Sequence, residues 1–267
     1  MPFPSNAPNF VPKNDFIQYL DIYTSHFNIN PIYCRLVECA TFDVINKKWL
    51  VLAKNVLSGA TQIYIAKFLV VATGENSQGF IPEILGLDSF GGVVMHFSNY
   101  GNGKNYCDKN VLVVGSRNSG MEIAYDLANW GANTSIVIRS PVHVLTKEMV
   151  QIGLNRLNFL PCDLVDNIIV LFSKLWYGNL AKYGLERPDK GPFFFLKSVT
   201  GRSPIIDVGT LDNIKTGEIK VLPTMKVDRD YVELSNGNKK NFDAIIFATG
   251  YKSAVRTWLK VMYLGIL

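Results

Sequence analysis

A short apolar run that opens into a glycine-containing turn is the feature that most constrains the fold of this chain. Val111–Val114 holds four apolar residues in a row, which indicates a strand buried on both faces of a parallel sheet. Gly115 permits a tight turn, and Gly120 allows close packing of a helix predicted over Met121–Trp130. A second strand is predicted over Thr134–Ile138. This order of strand, turn, helix and strand is typical of a Rossmann-like α/β fold.

The turn between strand and helix has most of the glycine pattern with which such folds bind dinucleotides. In that pattern the helix N-terminus faces the pyrophosphate of the cofactor. Arg139 stands about where an NAD site carries an acidic residue for the ribose 2′-hydroxyl, and a cation there suits a 2′-phosphate instead. The sequence therefore predicts an NADPH site. Its predicted cofactor contacts are Gly115, Ser116, Arg117, Asn118, Ser119, Gly120, Arg139 and Ser140.

One position departs from the glycine pattern. Arg117 occupies the place of the glycine that lets the main chain approach the pyrophosphate. A long side chain here either crowds the cofactor or supplies a charge-assisted contact to a phosphate oxygen, and we expect crowding. A plain strand-to-helix turn without a cofactor is the simpler alternative, and it stays open.

Length, charge and cysteine content limit the classes of function. With 267 residues the chain can form one large domain or two smaller ones. The net charge of +5 is spread without a basic block interleaved with aromatics, so no nucleic-acid partner is expected. We expect no signal peptide, no membrane span and no metal site. Four cysteines do not suffice for a disulfide framework, which predicts a cytoplasmic protein with reduced thiols.

Two further segments look like copies of one design. Each is a small meander of alternating strands, over 48–66 in the first copy and 218–234 in the second, followed by a fully apolar strand that ends in Ala-Thr-Gly. The apolar strands are predicted over Phe68–Gly74 and Phe242–Gly250. Small residues after a buried strand let the chain cross close to a bound dinucleotide, whereas two unrelated strand ends are the alternative. The predicted contacts are Ala72, Thr73, Gly74, Thr249, Gly250 and Tyr251.

This order predicts a nucleotide domain inserted into another domain. We place the NADPH domain at residues 105–238 and assign residues 1–104 and 239–267 to the surrounding domain. Near the N-terminus, apolar residues at helical spacing predict a helix over Phe16–Phe27, capped by Asn14 or Asp15. We expect its apolar stripe to pack into a core.

A family resemblance rests on several motifs together. The spacing Phe90-x-Gly92-x-x-x-His96-x-x-x-Tyr100 is similar to the identifying motif of flavin-containing monooxygenases. The Gly-x-x-Asn-Ser-Gly turn and both Ala-Thr-Gly segments also match. More narrowly, the chain resembles the plant YUCCA flavin monooxygenases, and the resemblance extends to about Leu259. Further matching stretches cover residues 16–20, 139–145 and 201–210.

The resemblance implies an activity and its cofactors. It implies a flavin monooxygenase of auxin biosynthesis that converts indole-3-pyruvate, a small aromatic keto acid, to indole-3-acetic acid with FAD, NADPH and O2. The flavin carries the chemistry, and no catalytic side chain is assigned. The surrounding domain would bind FAD, and His96 would fix the linker between domains. Compared with the family, the chain is expected to be truncated at both ends and to bind no FAD, so that the purified protein is colourless.

Two other functions stay open. A pyridine-nucleotide disulfide oxidoreductase shares the two-domain plan but needs a redox pair, for which Cys34 and Cys39 are poorly placed on a strand-like segment. A non-catalytic fragment that only binds NADPH is the second alternative. Arg202 and Lys252 either attract the carboxylate of a keto acid or are ordinary surface charges, and the sequence favours the latter. The oligomeric state is left undetermined.

Overall fold

A computed structural model of the chain describes residues 1–4, 6–8, 11–74, 76–193, 203–223, 225–229 and 231–260. The chain divides into two compact units, of which unit 1 combines residues 1–73 with the chain from 254 onward, and unit 2 is 74–253. The helices are α1 Lys13–His26, α2 Asn118–Asn129, α3 Lys147–Arg156, α4 Cys162–Tyr177, α5 Thr210–Thr216 and α6 Val255–Trp258. The strands are β1 Arg35–Asp43, β2 Lys48–Asn55, β3 Thr61–Ala66, β4 Gln78–Gly79, β5 Val93–His96, β6 Asn110–Val114, β7 Asn133–Val137, β8 Val144–Leu145, β9 Ile205–Ile206, β10 Ile219–Leu222, β11 Met225–Val227, β12 Val232–Leu234, β13 Lys239–Lys240, β14 Ala244–Phe247, β15 Tyr251–Lys252 and β16 Leu259–Lys260.

Unit 1 is built on a four-stranded sheet in the order β16-β1-β2-β3. The three long strands form an antiparallel meander, and β16 adds in parallel to β1 through the pair Ala40 and Leu259. The turn between β1 and β2 is held by Asp43, whose Oδ1 accepts the N–H groups of Ile45 and Asn46 at 2.9 and 3.0 Å. Such Asx turns reverse the chain without a glycine.

Unit 2 contains a five-stranded parallel sheet in the order β10-β7-β6-β14-β5. Helix α2 connects β6 to β7, which gives the predicted strand, turn, helix and strand in sequence. The central strands are apolar because both faces of the sheet are covered. One face packs on α2 and α5 through residues such as Met121 and Leu211, and the other packs on β11 and β12. The predicted Rossmann-like α/β class is confirmed.

Three smaller sheets and a helical hairpin complete unit 2. Strands β11, β12 and β13 form an antiparallel meander, β4 pairs antiparallel with β15, and β8 pairs parallel with β9. The hairpin consists of α3 and α4, which lie between β8 and β9 in the chain. It packs on unit 2 through the buried residues Leu145, Met149, Val165 and Ile169.

The structure differs from the prediction at the second meander. The segment 218–222 was expected to open that meander, but β10 instead pairs parallel with β7 as the edge of the main sheet. The meander begins only at Met225. The short segment Ile219–Leu222 fits either role by its sequence, because the strand that it pairs with lies far away in the chain.

The unit boundaries also differ from the predicted domains 1–104, 105–238 and 239–267. Strands β5 and β14, expected in the surrounding domain, belong to the main sheet of unit 2, where Ala244 pairs with Val111 on one side and Val93 on the other. Strand β14 is hydrogen-bonded to a neighbour on each side inside this sheet, and β5 forms its edge.

Two expectations for unit 1 are wrong. Residues 68–74, all of them described, form no strand, and Phe68 and Val70 are 77% and 84% exposed. Helix α1 begins after Pro12 without a side-chain cap and has no buried residue, although its apolar stripe was expected in a core. An apolar pattern is buried only where neighbouring elements cover it. The described residues of unit 1 cover neither of these two segments.

Candidate functional site

A cavity of about 480 Å³ opens in unit 2 at the carboxyl ends of β6, β7 and β14. This edge of an open parallel sheet is where doubly wound folds bind their ligands. The lining residues are Phe80, Pro82, Glu83, Ile84, Val114, Gly115, Ser116, Arg117, Val137, Arg139, Ser140, Pro141, Val142, His143, Ser203, Ile205, Ala248 and Thr249. The cavity therefore brings together the glycine turn, the end of β7 and the second Ala-Thr-Gly segment.

The glycine turn has the close contacts that the sequence predicts. Gly115 adopts a φ of +115°, and a Cβ atom there would lie 2.5 Å from the carbonyl oxygen of Ala248. A Cβ atom at Gly120 would collide with the carbonyl of Gly115. Both positions therefore require glycine, one for its backbone conformation and the other for helix packing.

Helix α2 presents its N-terminus at the same turn. Its N-cap residue is Arg117, which has an extended backbone and makes no capping hydrogen bond through its side chain. The first N–H groups of a helix have no partner inside the helix, and they carry the positive end of its dipole. This arrangement suits an anionic group of a ligand.

The charges that line the cavity are mainly positive. Arg117 and Arg139 are both exposed and both line it, while Glu83 is the acidic residue among the lining. Arg139 lies two residues after the end of β7, at the same edge of the sheet as the glycine turn. The Arg139 guanidinium fits a phosphate of a dinucleotide, whereas Arg117 stands at the turn itself, where we expect it to crowd the cofactor.

Five predicted contacts near the cavity are not among its lining residues, namely Asn118, Ser119, Gly120, Gly250 and Tyr251. The side chain of Asn118 accepts the N–H of Ile206 through Oδ1 at 2.8 Å. That bond holds β9 against the start of α2, so Asn118 positions the wall that includes Ile205. Ser119 and Gly120 belong to the first turn of α2.

His96 joins the motif segment to the second Ala-Thr-Gly segment. The ring is buried, Nδ1 accepts the N–H of Ser98 at 3.3 Å, and Nε2 lies 2.9 Å from the carbonyl oxygen of Gly250. Since Nδ1 is an acceptor, Nε2 carries the proton and donates it. The rings of His96 and Tyr251 meet edge to face with centroids 5.1 Å apart. His96 thus fixes the position of β5 relative to β15 within unit 2.

The other three motif residues also hold the fold of unit 2. Phe90 packs in the apolar cluster below the sheet. Gly92 allows the chain to enter β5, because a Cβ atom there would lie 2.6 Å from the carbonyl oxygen of Asp243. Tyr100 donates its hydroxyl hydrogen to Asp126 Oδ2 at 2.6 Å, and burial together with this carboxylate raises the pKa of Tyr100. The motif therefore stabilises the positions of β5 and α2 within unit 2.

A segment that the sequence analysis missed forms one side of the cavity. Strand β4 leads into Phe80, whose N–H donates to the Gly250 carbonyl at 3.1 Å and whose carbonyl accepts the hydroxyl of Thr249. Lys252 Nζ lies 3.6 Å from the centroid of the Phe80 ring, which is a cation–π contact. Lys252 is thus engaged with Phe80, and Arg202 lies outside the described residues. In the sequence, Pro82 is the local feature that marks this segment around Phe80.

His143 also lines the cavity. Its Nε2 lies 2.6 Å from the carbonyl oxygen of Lys190 and donates to it. Its Nδ1 is buried and has no hydrogen-bond partner among the described residues. Burial lowers the pKa of His143, which keeps the imidazole neutral near pH 7.

The remaining predicted contacts and the cysteine pair fall elsewhere. Ala72 and Thr73 belong to unit 1, and both are exposed, as is Gly74 at the start of unit 2. Cys34 and Cys39 are free thiols, one just before β1 and the other inside it.

Comparison with known proteins gives a family and a fold. A family model described as flavin-binding monooxygenase-like matches residues 1–258. Probable indole-3-pyruvate monooxygenase YUCCA10 of Arabidopsis thaliana is 50% identical over 262 residues, which cover 97% of this chain and 68% of that protein. YUCCA9 of the same plant, also a probable indole-3-pyruvate monooxygenase, is 44% identical, with 97% and 63% coverage. The chain thus spans about two thirds of the length of these relatives.

Solved structures share the fold at low sequence identity. Cyclohexanone monooxygenase from Rhodococcus sp. Phi1 bound to NADP+ superposes with a TM-score of 0.68 at 16% identity, over 94% of this chain and 59% of that one. The OTEMO complex with FAD and NADP gives a TM-score of 0.70 at 15% identity, over 94% and 59%. Among the described residues, no helix combines the length and the apolar content needed to cross a bilayer.

Proposed function

This chain belongs to the flavin-binding monooxygenase-like family, and from that membership we propose that it takes part in the NADPH- and FAD-dependent oxidation of indole-3-pyruvate to indole-3-acetic acid. The substrate class and the reaction come from the printed names of its YUCCA relatives. A disulfide oxidoreductase is not favoured, because the family and the relatives are monooxygenases and Cys34 and Cys39 are free thiols. The single observation that carries the proposal is the cavity of unit 2, where a glycine turn, a helix N-terminus and Arg139 converge.

The NADPH site is the part of the proposal that the geometry supports best. The glycines of the turn leave room for a pyrophosphate, and the N–H groups at the start of α2 would donate to it. Arg139 would bind the 2′-phosphate, and Ser116, Ser140 and Thr249 would supply hydroxyl groups from the wall. The chain's own contribution is to bind, orient and exclude water. Bound NADPH supplies the hydride.

The FAD assignment rests on the family rather than on a site in this structure. Ala72, Thr73 and Gly74 are all exposed, and the run before them is neither paired nor covered within unit 1. These residues as they stand do not enclose a flavin, so we derive no step through FAD. The assignment is supported by the family description and by the relatives' names.

The cellular compartment is proposed from the thiols. All four cysteines are free, which is typical of a reducing compartment such as the cytoplasm.

The visible spectrum of one preparation tests the expectation that this chain by itself binds no FAD. The sequence predicts a colourless protein, and a yellow preparation with stoichiometric FAD would contradict it. Chromatography of indole products follows the conversion of the keto acid in the same preparation.

Cofactor preference tests the NADPH site directly. The unmodified chain should bind NADPH more tightly than NADH, and Arg139→Ala should remove about 1.5–3 kcal/mol of that preference, the range for a hydrogen bond to a charged group. Isothermal titration calorimetry with both cofactors measures this. Arg156→Ala, which removes an exposed arginine at the end of α3, is the matched control and should leave the preference unchanged. Equal affinity of the unmodified chain for the two cofactors would contradict the assignment.

A further inference from the structure

Helix α4 turns a continuous apolar face away from unit 2. Leu164, Ile168, Leu171, Phe172 and Leu175 recur at the spacing that places side chains on one face of a helix. All are exposed except Ile168, which is half-buried, and Trp176 extends the face at its C-terminal end. Leu175 and Trp176 are 74% and 70% exposed.

The buried face of the same helix is the more polar one. It consists of Val165, Asp166, Ile169, Ser173 and Tyr177. Asp166 Oδ1 accepts the N–H of Phe193 at 2.8 Å, and the Ser173 hydroxyl donates to the Val144 carbonyl at 2.9 Å. Asp166 and Ser173 thus anchor α4 together with the buried Val165 and Ile169, while a second apolar face points outward. An ordinary surface helix is polar on its outer face, and contiguous exposed apolar patches mark interaction sites.

The charges beside this face are self-complementary. Asp163 and Lys174 are exposed and stand eleven residues apart, which is about three turns or 16 Å along the helix. They therefore lie on the same flank of the apolar face, at its opposite ends. Within the described part of the chain, neither side chain forms an ion pair.

We propose that this face of α4 binds the same face of a second copy of the chain, with the two helices antiparallel across a two-fold axis. Such an axis reverses the helix direction and keeps the flanks on the same side, so Asp163 of each copy meets Lys174 of the other. The apolar residues then cover one another, Leu164 lying near Leu175 of the second copy. A parallel pair would separate the charges. An acidic residue at the border also disfavours an anionic membrane as the occupant.

Sedimentation equilibrium of the full chain over a micromolar concentration series tests the association. We expect a concentration-dependent dimer, and Leu171→Glu should weaken it about a hundredfold or more, because two carboxylates would be buried in an apolar contact. Asn155→Glu, at an exposed position of α3, is the matched control and should leave the dimer unchanged. A chain that stays monomeric, or a dimer that tolerates Leu171→Glu, overturns the proposal.

A charge exchange tests the antiparallel arrangement. Asp163→Lys and Lys174→Asp should each weaken self-association, because each places like charges together twice. An equimolar mixture of the two variants should form a heterodimer, since all its pairs are again opposite in charge. Circular dichroism checks that each variant is folded. Failure of the mixture to associate overturns the antiparallel arrangement, and binding of a monomeric chain to anionic phospholipid vesicles overturns the second copy as the occupant.

Discussion

The two runs that end in Ala-Thr-Gly have similar sequences and different structures. In unit 2 the run forms β14, which has a parallel neighbour on each side and four fully buried residues. The other run, over residues 68–74, forms no strand, and its side chains Phe68, Val70 and Val71 are exposed. The composition of a segment is therefore not enough to bury it.

The difference lies in what surrounds each run. Strand β14 joins β5 and β6 in a sheet whose two faces are covered by helices and by a small meander. In the described part of unit 1, the only buried apolar residues are Ala40 and Ala53. Apolar burial supplies most of the stability of a domain, so unit 2 should carry far more of it than unit 1 does.

Removing one aromatic side chain from each run gives the largest expected contrast. Phe247→Ala should cost about 3–5 kcal/mol of unfolding free energy, because Phe247 is fully buried. Phe68→Ala should cost less than about 0.5 kcal/mol, because the side chain is mostly exposed. Urea unfolding followed by circular dichroism measures both. Comparable losses at the two positions would show that the run of unit 1 is buried in solution.

The pH dependence of stability provides a second contrast between the units. Because burial lowers the pKa of His143, the unfolded chain takes up a proton below its ordinary pKa of about 6.5 while the folded chain does not. Stability should therefore be fully present above that pH and decrease as the pH falls below it, by at most about 1.4 kcal/mol per pH unit.

Substitution of the histidines isolates this contribution. His143→Gln should reduce the loss of stability between pH 7.5 and pH 5.5, measured by urea unfolding at each pH. His26→Gln, at an exposed histidine of unit 1, is the matched control. If the pH profile of His143→Gln were that of the unmodified chain, His143 would not be buried and neutral.

A smaller contrast lies within the glycine turn, between Gly115 and Arg117. Gly115 has a φ that requires glycine, whereas Arg117 has a φ of −75°, which any residue adopts. The exposed Arg117 side chain lines the cavity at the turn, where we expect it to crowd the cofactor, so Arg117→Gly should tighten NADPH binding by less than about tenfold. Calorimetry measures it. Weaker binding in the variant would instead assign Arg117 to a phosphate.

Sequence reasoning was most reliable where structure is decided locally. The predicted strand at Val111–Val114, the helix that follows it and the strand at Thr134–Ile138 match β6, α2 and β7 to within three residues at each end. The turn at Gly115 has the predicted close contacts. Periodicity, turn glycines and the end of the helix are all properties of adjacent residues.

Sequence reasoning failed where contacts with distant segments determine the structure. The segment 218–222 could join a meander or a parallel sheet, and only its pairing with β7 settles the matter. The segment around Phe80 has no periodic pattern. Its position is fixed by hydrogen bonds of Phe80 with Thr249 and Gly250, which are far away in the sequence. The apolar run at Phe68 shows the same limit, because burial depends on partners that a local pattern does not reveal.

Hydrogen–deuterium exchange of the full chain with and without NADPH tests the central claim, that the cofactor binds in unit 2 at the start of α2. NADPH should slow exchange at the amides of residues 115–121 and 137–143, which form the turn and the end of β7. It should leave the sheet of unit 1 over residues 35–66 unchanged. Unchanged exchange at 115–121, or protection centred on the sheet of unit 1, would contradict the account.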